Sequence, residues 1–170
     1  DGANAGLSFD DGGALRLQSR GHYLTGGPRE RHFALFKGWA HRHQAALRPA
    51  LGSRYVLYGE WLYAKHTVFY DRLPHYFMEF DVLDRDSGQF LSTAARRNLL
   101  AEAPLVPVRV LHEGPVASLE ALRALIGPSA FQGPDHLGIL EQLAHHRGLD
   151  WPRVQKETDP SALMEGLYIK

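Results

Sequence analysis

Four short clusters spread along the 170 residues combine acids, glycines and aromatics in patterns that chemistry can use. Asp1-Gly2-Ala3-Asn4 leads an alternating stretch whose far end carries Ser19-Arg20-Gly21. Tyr58-Gly59-Glu60-Trp61 sets a carboxylate beside a glycine in an otherwise apolar run, and Glu79-Phe80-Asp81-Val82 again places acids among apolar neighbours. Glu165-Gly166-Leu167-Tyr168-Ile169-Lys170 is the last of them. An acid inside an apolar β-type run is costly unless a partner or a metal ion receives it. A glycine beside such an acid leaves room for a ligand to approach the backbone. Singly, a Gly-Glu pair or an Asp-Gly turn is more often structural; the order of the four is the informative feature.

Several common sites are absent. There is no Gly-x-x-x-x-Gly-Lys-Ser/Thr, Gly-x-Gly-x-x-Gly, Gly-x-Ser-x-Gly or His-Glu-x-x-His pattern. Ten histidines raise the question of metal binding. Yet His41 with His43, and His145 with His146, are spaced so that neither pair shares a helix face, and surface histidines are the better reading. Cysteine is lacking, so disulfide frameworks, thiolate metal sites and cysteine nucleophiles all fall away. A reducing, cytoplasmic location is the expectation.

The elements that must position these clusters can be read from periodicity. Leu7 and Phe9, then Leu15 and Leu17, flank Asp10-Asp11-Gly12-Gly13 and predict a β-hairpin. Phe33, Phe36, Trp39 and Ala40 form one apolar stripe, which predicts a helix from about Glu30 to Leu47. Strands are expected at Arg54 to Leu62, Tyr76 to Leu83, Val106 to Leu111 and, at the end of the sequence, Glu165 to Lys170. Ser92 or Thr93 caps a helix to about Glu102. Further helices are expected at Ser118 to Ile126 and Asp135 to Arg147, with a helical turn at Trp151 to Glu157. Strands and helices mix without strict alternation and the hairpins imply antiparallel pairing, so the class is α+β.

Composition agrees with a folded domain: 44% hydrophobic, 11% aromatic and 22% charged residues exclude a disordered or fibrous chain. No apolar run approaches the roughly 20 residues that cross a bilayer. The zero net charge conceals an asymmetry. Residues 1–54 hold eight Lys/Arg against four Asp/Glu, and the remainder eleven against fifteen. A basic face for a polyanion is compatible with this, and so is plain solvated surface.

Taken in order, the clusters resemble those of the covalent nucleotidyltransferases, the superfamily of ATP-dependent RNA ligases, DNA ligases and mRNA capping enzymes. Asp1-Gly2 matches the second half of their Lys-x-Asp-Gly motif. Arg20, Gly59-Glu60, Phe80-Asp81 and Glu165-Gly166-(Leu167-Tyr168-Ile169)-Lys170 match the next four. The stretches Tyr58 to His66 and Phe80 to Asp84, and Asn4 after Asp1-Gly2-Ala3, are most similar to the RNA ligase family. The resemblance implies an antiparallel-sheet nucleotidyltransferase (adenylation) domain over residues 1–170, truncated at both ends. The nucleophilic lysine would precede Asp1 by two places and a last lysine motif would follow Lys170. The chain by itself is therefore expected not to be adenylylated.

By the same resemblance the cofactors are ATP and Mg²⁺, and the partners are RNA ends, with DNA ends or cap guanylylation as alternatives. Asn4 and Arg20 would contact the ribose or phosphate, Glu60 would accept from a ribose hydroxyl, and Phe80 would stack on adenine. Glu165 would help hold the metal ion, Lys170 would approach the phosphates, and Asp1 would orient the lysine or the metal. Lys65 and His66 would touch phosphate or the nucleic-acid end, or else form a solvated loop. A nucleotide- or RNA-binding module without catalysis is the reading from a different class.

Overall fold

The computed structural model describes residues 2–170, apart from the Arg29 side chain; Asp1 lies outside the described residues. The backbone divides into two compact units. One holds residues 2–64 and 75–108 and contains the sheet; the other holds residues 65–74 and 109–170.

In the sheet unit, β1 (Ala3–Phe9) and β2 (Leu15–Ser19) form the expected hairpin, and β3 (His22–Tyr23) returns beside β2. After a 3-10 turn over Pro28–Phe33, α1 (Ala34–Leu51) crosses one face. Then follow β4 (Tyr55–Trp61), β5 (Phe77–Asp84), β6 (Gln89–Phe90), α2 (Thr93–Leu99) and β7 (Val106–Pro107). The strand order is β3-β2-β1-β4-β5-β6, with β7 also paired to β5.

α1 runs past the expected Leu47 because Leu47 and Leu51, one turn apart, are both buried and extend the stripe. Gly52, at φ 50°, ends it by donating its N–H to Arg48 O. Phe36 anchors the packing against the sheet, with ring centroids 5.1 Å from Phe77 and 5.4 Å from Trp61. Leu7, Phe9, Leu57 and Val82 belong to the same core.

Two strand expectations are corrected. Val106 to Leu111 forms only the two-residue β7, because Pro107 has no N–H to extend a ladder. It also lies parallel to β5, reached through the α2 crossover, so the sheet is mixed rather than wholly antiparallel. Glu165 to Lys170 is not a strand. Alternation makes a strand only where a neighbour supplies a ladder, and among the described residues this region has a single bridge, Pro128 to Leu163.

Asp84, buried at the end of β5, is gripped by both arms of Arg54, at 2.8 Å from Nε and 2.6 Å from Nη2. These hydrogen bonds, with a further one from the Asp86 N–H, hold its carboxyl far below the usual carboxylate range. A depressed folded-state pKa gives stability that is present at neutral pH and lost on acidification below about pH 4. Urea unfolding is expected to show that loss in the native chain, with a smaller acid-dependent step in Asp84→Asn.

The second unit contains α3 (Leu119–Arg123), α4 (His136–His146) and α5 (Trp151–Lys156). Residues 65–74 are tied into it by backbone contacts: Asp159 N donates to Thr67 O at 2.8 Å and Arg72 N to Phe131 O at 3.1 Å. Asp71 Oδ1 accepts from Gly133 N at 2.7 Å. Among the described residues no helix is long and apolar enough to cross a membrane.

Candidate functional site

The sheet brings three of the singled-out residues to one face. β1 and β4 pair so that Asn4 stands directly opposite Glu60 and Gly6 opposite Tyr58. By strand alternation these side chains leave the sheet on the side away from α1, because Ala3, Ala5, Leu57 and Trp61 belong to the α1 side. Both Asn4 and Glu60 are half-buried.

Phe80 joins them through an irregularity. Tyr58 pairs with Asp81 and Gly59 with Glu79, so Phe80 is one residue too many on β5, a β-bulge. Met78, opposite Glu60, shares its side of the sheet, and Phe80 follows two residues later. Phe80 is half-buried and stands outside the apolar cluster packed on α1.

Gly2 explains why the first cluster needs its glycine. A Cβ built there would lie 2.7 Å from Trp61 O and 3.0 Å from Glu60 Cγ. The start of β1 thus lies against the stem of Glu60, a fit that only a missing side chain permits.

Gly59 has a different reason from the one its sequence context suggests. A Cβ there would meet the Phe77 ring at 2.5 Å and Met78 O at 2.7 Å. The room beside Glu60 is taken by a core ring, not kept for a ligand. Gly166 has no atom within 4 Å of a built Cβ and no positive φ, so packing within the chain does not demand a glycine there.

The acids of β5 are received by the protein itself. Glu79, 3% exposed, faces Arg96 of α2, with Oε2 3.5 Å from Nε. Asp84 has Arg54, and the buried Asp81 accepts from Val82 N at 2.9 Å. Among the described residues no group of three His, Cys, Asp or Glu side chains could hold a metal ion. Sequence reasoning missed Arg96, which sits in an Arg96-Arg97 pair that reads as solvated. Its one visible signal is position: it precedes the buried Leu100 by four, on the inward stripe of α2.

Arg20 is exposed at the two-residue turn between β2 and β3, which closes with Gly21 at φ 85°. The remaining candidates belong to the second unit. Lys65 Nζ donates to His66 O and Glu157 O, each at 3.0 Å. Partial burial lowers the pKa of its amine, against the opposing pull of Glu157. Two of its three donors are thus committed to backbone carbonyls, while His66 is exposed. Glu165 is exposed and lies 3.5 Å from Thr67 Oγ1; Lys170 is exposed. Asp1 lies outside the described residues.

Solved structures share this fold at low identity. A lysine-to-alanine mutant of the Naegleria gruberi RNA ligase with ATP and Mn is 18% identical at a TM-score of 0.54, covering 76% of this chain and 40% of that one. A lysine-to-methionine mutant of the same enzyme with AMP and Mn gives 19%, 0.54, 76% and 40%. Its apo aspartate-to-alanine mutant gives 17%, 0.53, 78% and 40%. The chain therefore spans about 40% of the length of these ligases. No curated protein sequence matches it. A family model, RNA ligase, matches residues 1–170 from end to end. The chain belongs to the RNA ligase family.

Proposed function

We propose that residues 1–170 form one nucleotidyltransferase domain, the central part of an ATP-dependent RNA ligase that joins 5′-phosphate and 3′-hydroxyl ends. The observation that carries this reading is the register of β1 against β4, which sets Asn4 opposite Glu60 beside the Phe80 bulge. In the reaction a lysine amine attacks the α-phosphate of ATP, and pyrophosphate leaves lysyl-AMP. AMP then passes to the 5′-phosphate, and the 3′-hydroxyl displaces it.

The chain's own residues bind and orient in this scheme. The Glu60 carboxylate accepts from a ribose hydroxyl, Asn4 and Arg20 contact the ribose or phosphate, and the Phe80 ring stacks on adenine. Asp1 orients the lysine or the metal, and Lys170 approaches the phosphates. The remaining donor of Lys65, with His66, meets phosphate at the RNA end. Mg²⁺ supplies charge neutralisation at the phosphates. Glu165, a single exposed carboxylate, suits a small cation that keeps most of its waters and leans on substrate phosphate, so it is the residue that would hold Mg²⁺. The lack of cysteine supports a reducing, cytoplasmic setting.

The test is labelling of the full-length protein with α-labelled ATP and Mg²⁺. A covalent label discharged by RNA carrying a 5′-phosphate is expected, and no label on residues 1–170 alone. Nucleotide binding without covalent label would make this a binding module. Discharge by DNA alone would make it a DNA ligase domain.

A further inference from the structure

One edge of β5 is covered in two pieces. β7 pairs with Met78 and Glu79, and β6 with Leu83 and Asp84. Between them lies the Phe80 bulge, and there α2 delivers Arg96. Its Nη1 donates to the Phe80 carbonyl, and its Nε faces Glu79 Oε2 at 3.5 Å. Both side chains of the ion pair are only 4% exposed. One guanidinium thus holds two consecutive β5 residues, the last regular one and the extra one. Arg97 and Ala95 beside it are exposed, so Arg96 occupies a position that packing alone would give to an apolar residue.

We propose that Arg96 is a positioning residue for the nucleobase site: it fixes the bulge and so fixes where the Phe80 ring stands. The proposal rests on the reading of Phe80 as the adenine-stacking residue. An extra residue interrupts a ladder, and a strand released from it can relax by a one-residue slip, which carries every side chain beyond it to the other face. With Asp81 to Asp84 kept in register, such a slip of the half that carries Phe80 would set Phe80 opposite Gly59 and turn its ring to the α1 side, away from Asn4 and Glu60. A guanidinium holds the bulge because its planar fork reaches a carbonyl and a carboxylate at once, a geometry that an ammonium does not reproduce.

The test is a double-mutant cycle in the full-length protein, reading the ATP concentration that half-saturates the initial rate of covalent labelling. Phe80→Leu is expected to raise it about tenfold, in line with the loss of one aromatic–base stack. Arg96→Met is expected to raise it to a similar extent with the maximal rate kept, and the double variant no further than either single. Independent effects would instead multiply to about a hundredfold and would overturn the role of Arg96. So would an unchanged half-saturation in Arg96→Met. No change in Phe80→Leu would instead overturn the reading of Phe80 beneath the proposal. Should Arg96→Met fail to fold, Arg96→Lys replaces it in the same cycle, because it keeps the charge facing Glu79 and loses the fork; the same outcomes decide.

Discussion

Glu60→Ala in the full-length protein is expected to cut labelling by ATP at limiting nucleotide about ten- to a hundredfold while leaving the fold intact. A hydrogen bond to a charged group contributes about 1.5–3 kcal/mol, so its loss costs about ten- to a hundredfold at limiting ATP. The side chain is half-buried on the face away from α1 and contributes nothing to the apolar core. The pairing of residue 60 with Asn4 and Met78 is carried by the backbone, so the fold should be kept. Glu60→Gln, which keeps an acceptor without the charge, should fall between the two. Normal labelling in Glu60→Ala would remove this residue from the site. Glu165→Ala should abolish labelling, and extra Mg²⁺ should partly restore it if the carboxylate serves the metal.

Gly59→Ala is the second large effect, and it falls on stability. A methyl group there would stand 2.5 Å from the Phe77 ring. That ring is wedged between Phe36 at 5.1 Å and Trp39 at 5.2 Å, so it has no room to retreat. Overpacking of a core typically costs about 1–3 kcal/mol, and with backbone on the other side the upper part of that range is expected. Urea unfolding of Gly59→Ala against the native protein measures it. The alternative account, a glycine kept for ligand approach, gives the reverse pattern: unchanged stability with weakened ATP binding. The two outcomes are well separated because Gly59 and Glu60, neighbours in sequence, face opposite sides of the sheet.

The contrast between those neighbours shows what the sequence could disclose. The hairpin around Asp10-Asp11-Gly12-Gly13 was legible because its larger apolar side chains alternate along both strands, although β1 is buried on both faces. The stripe of Phe33, Phe36 and Ala40 was legible because burial there repeats with the helical period. The pairing of Asn4 with Glu60 was not, because register follows from contacts between distant segments. The Phe80 bulge adds a residue that no periodicity announces, and Arg96 is buried only because Glu79 and the bulge receive it. The failure of Glu165 to Lys170 as a strand has the same origin: its alternation was visible, but its ladder partner was never in the local sequence. Grouping of residues 65–74 with 109–170 likewise depends on long-range bonds such as Asp71 to Gly133.

The most direct test of the nucleotide seat is a crystal structure of the full-length protein with AMP bound. The ribose hydroxyls are expected within hydrogen-bond distance of Glu60, with Asn4 close by and the adenine ring stacked on Phe80, on the face of the sheet away from α1. AMP seated elsewhere, for example in the groove of Leu15, Leu17, Tyr23 and Leu24 at the β2–β3 edge, with Glu60 and Phe80 untouched, would contradict it.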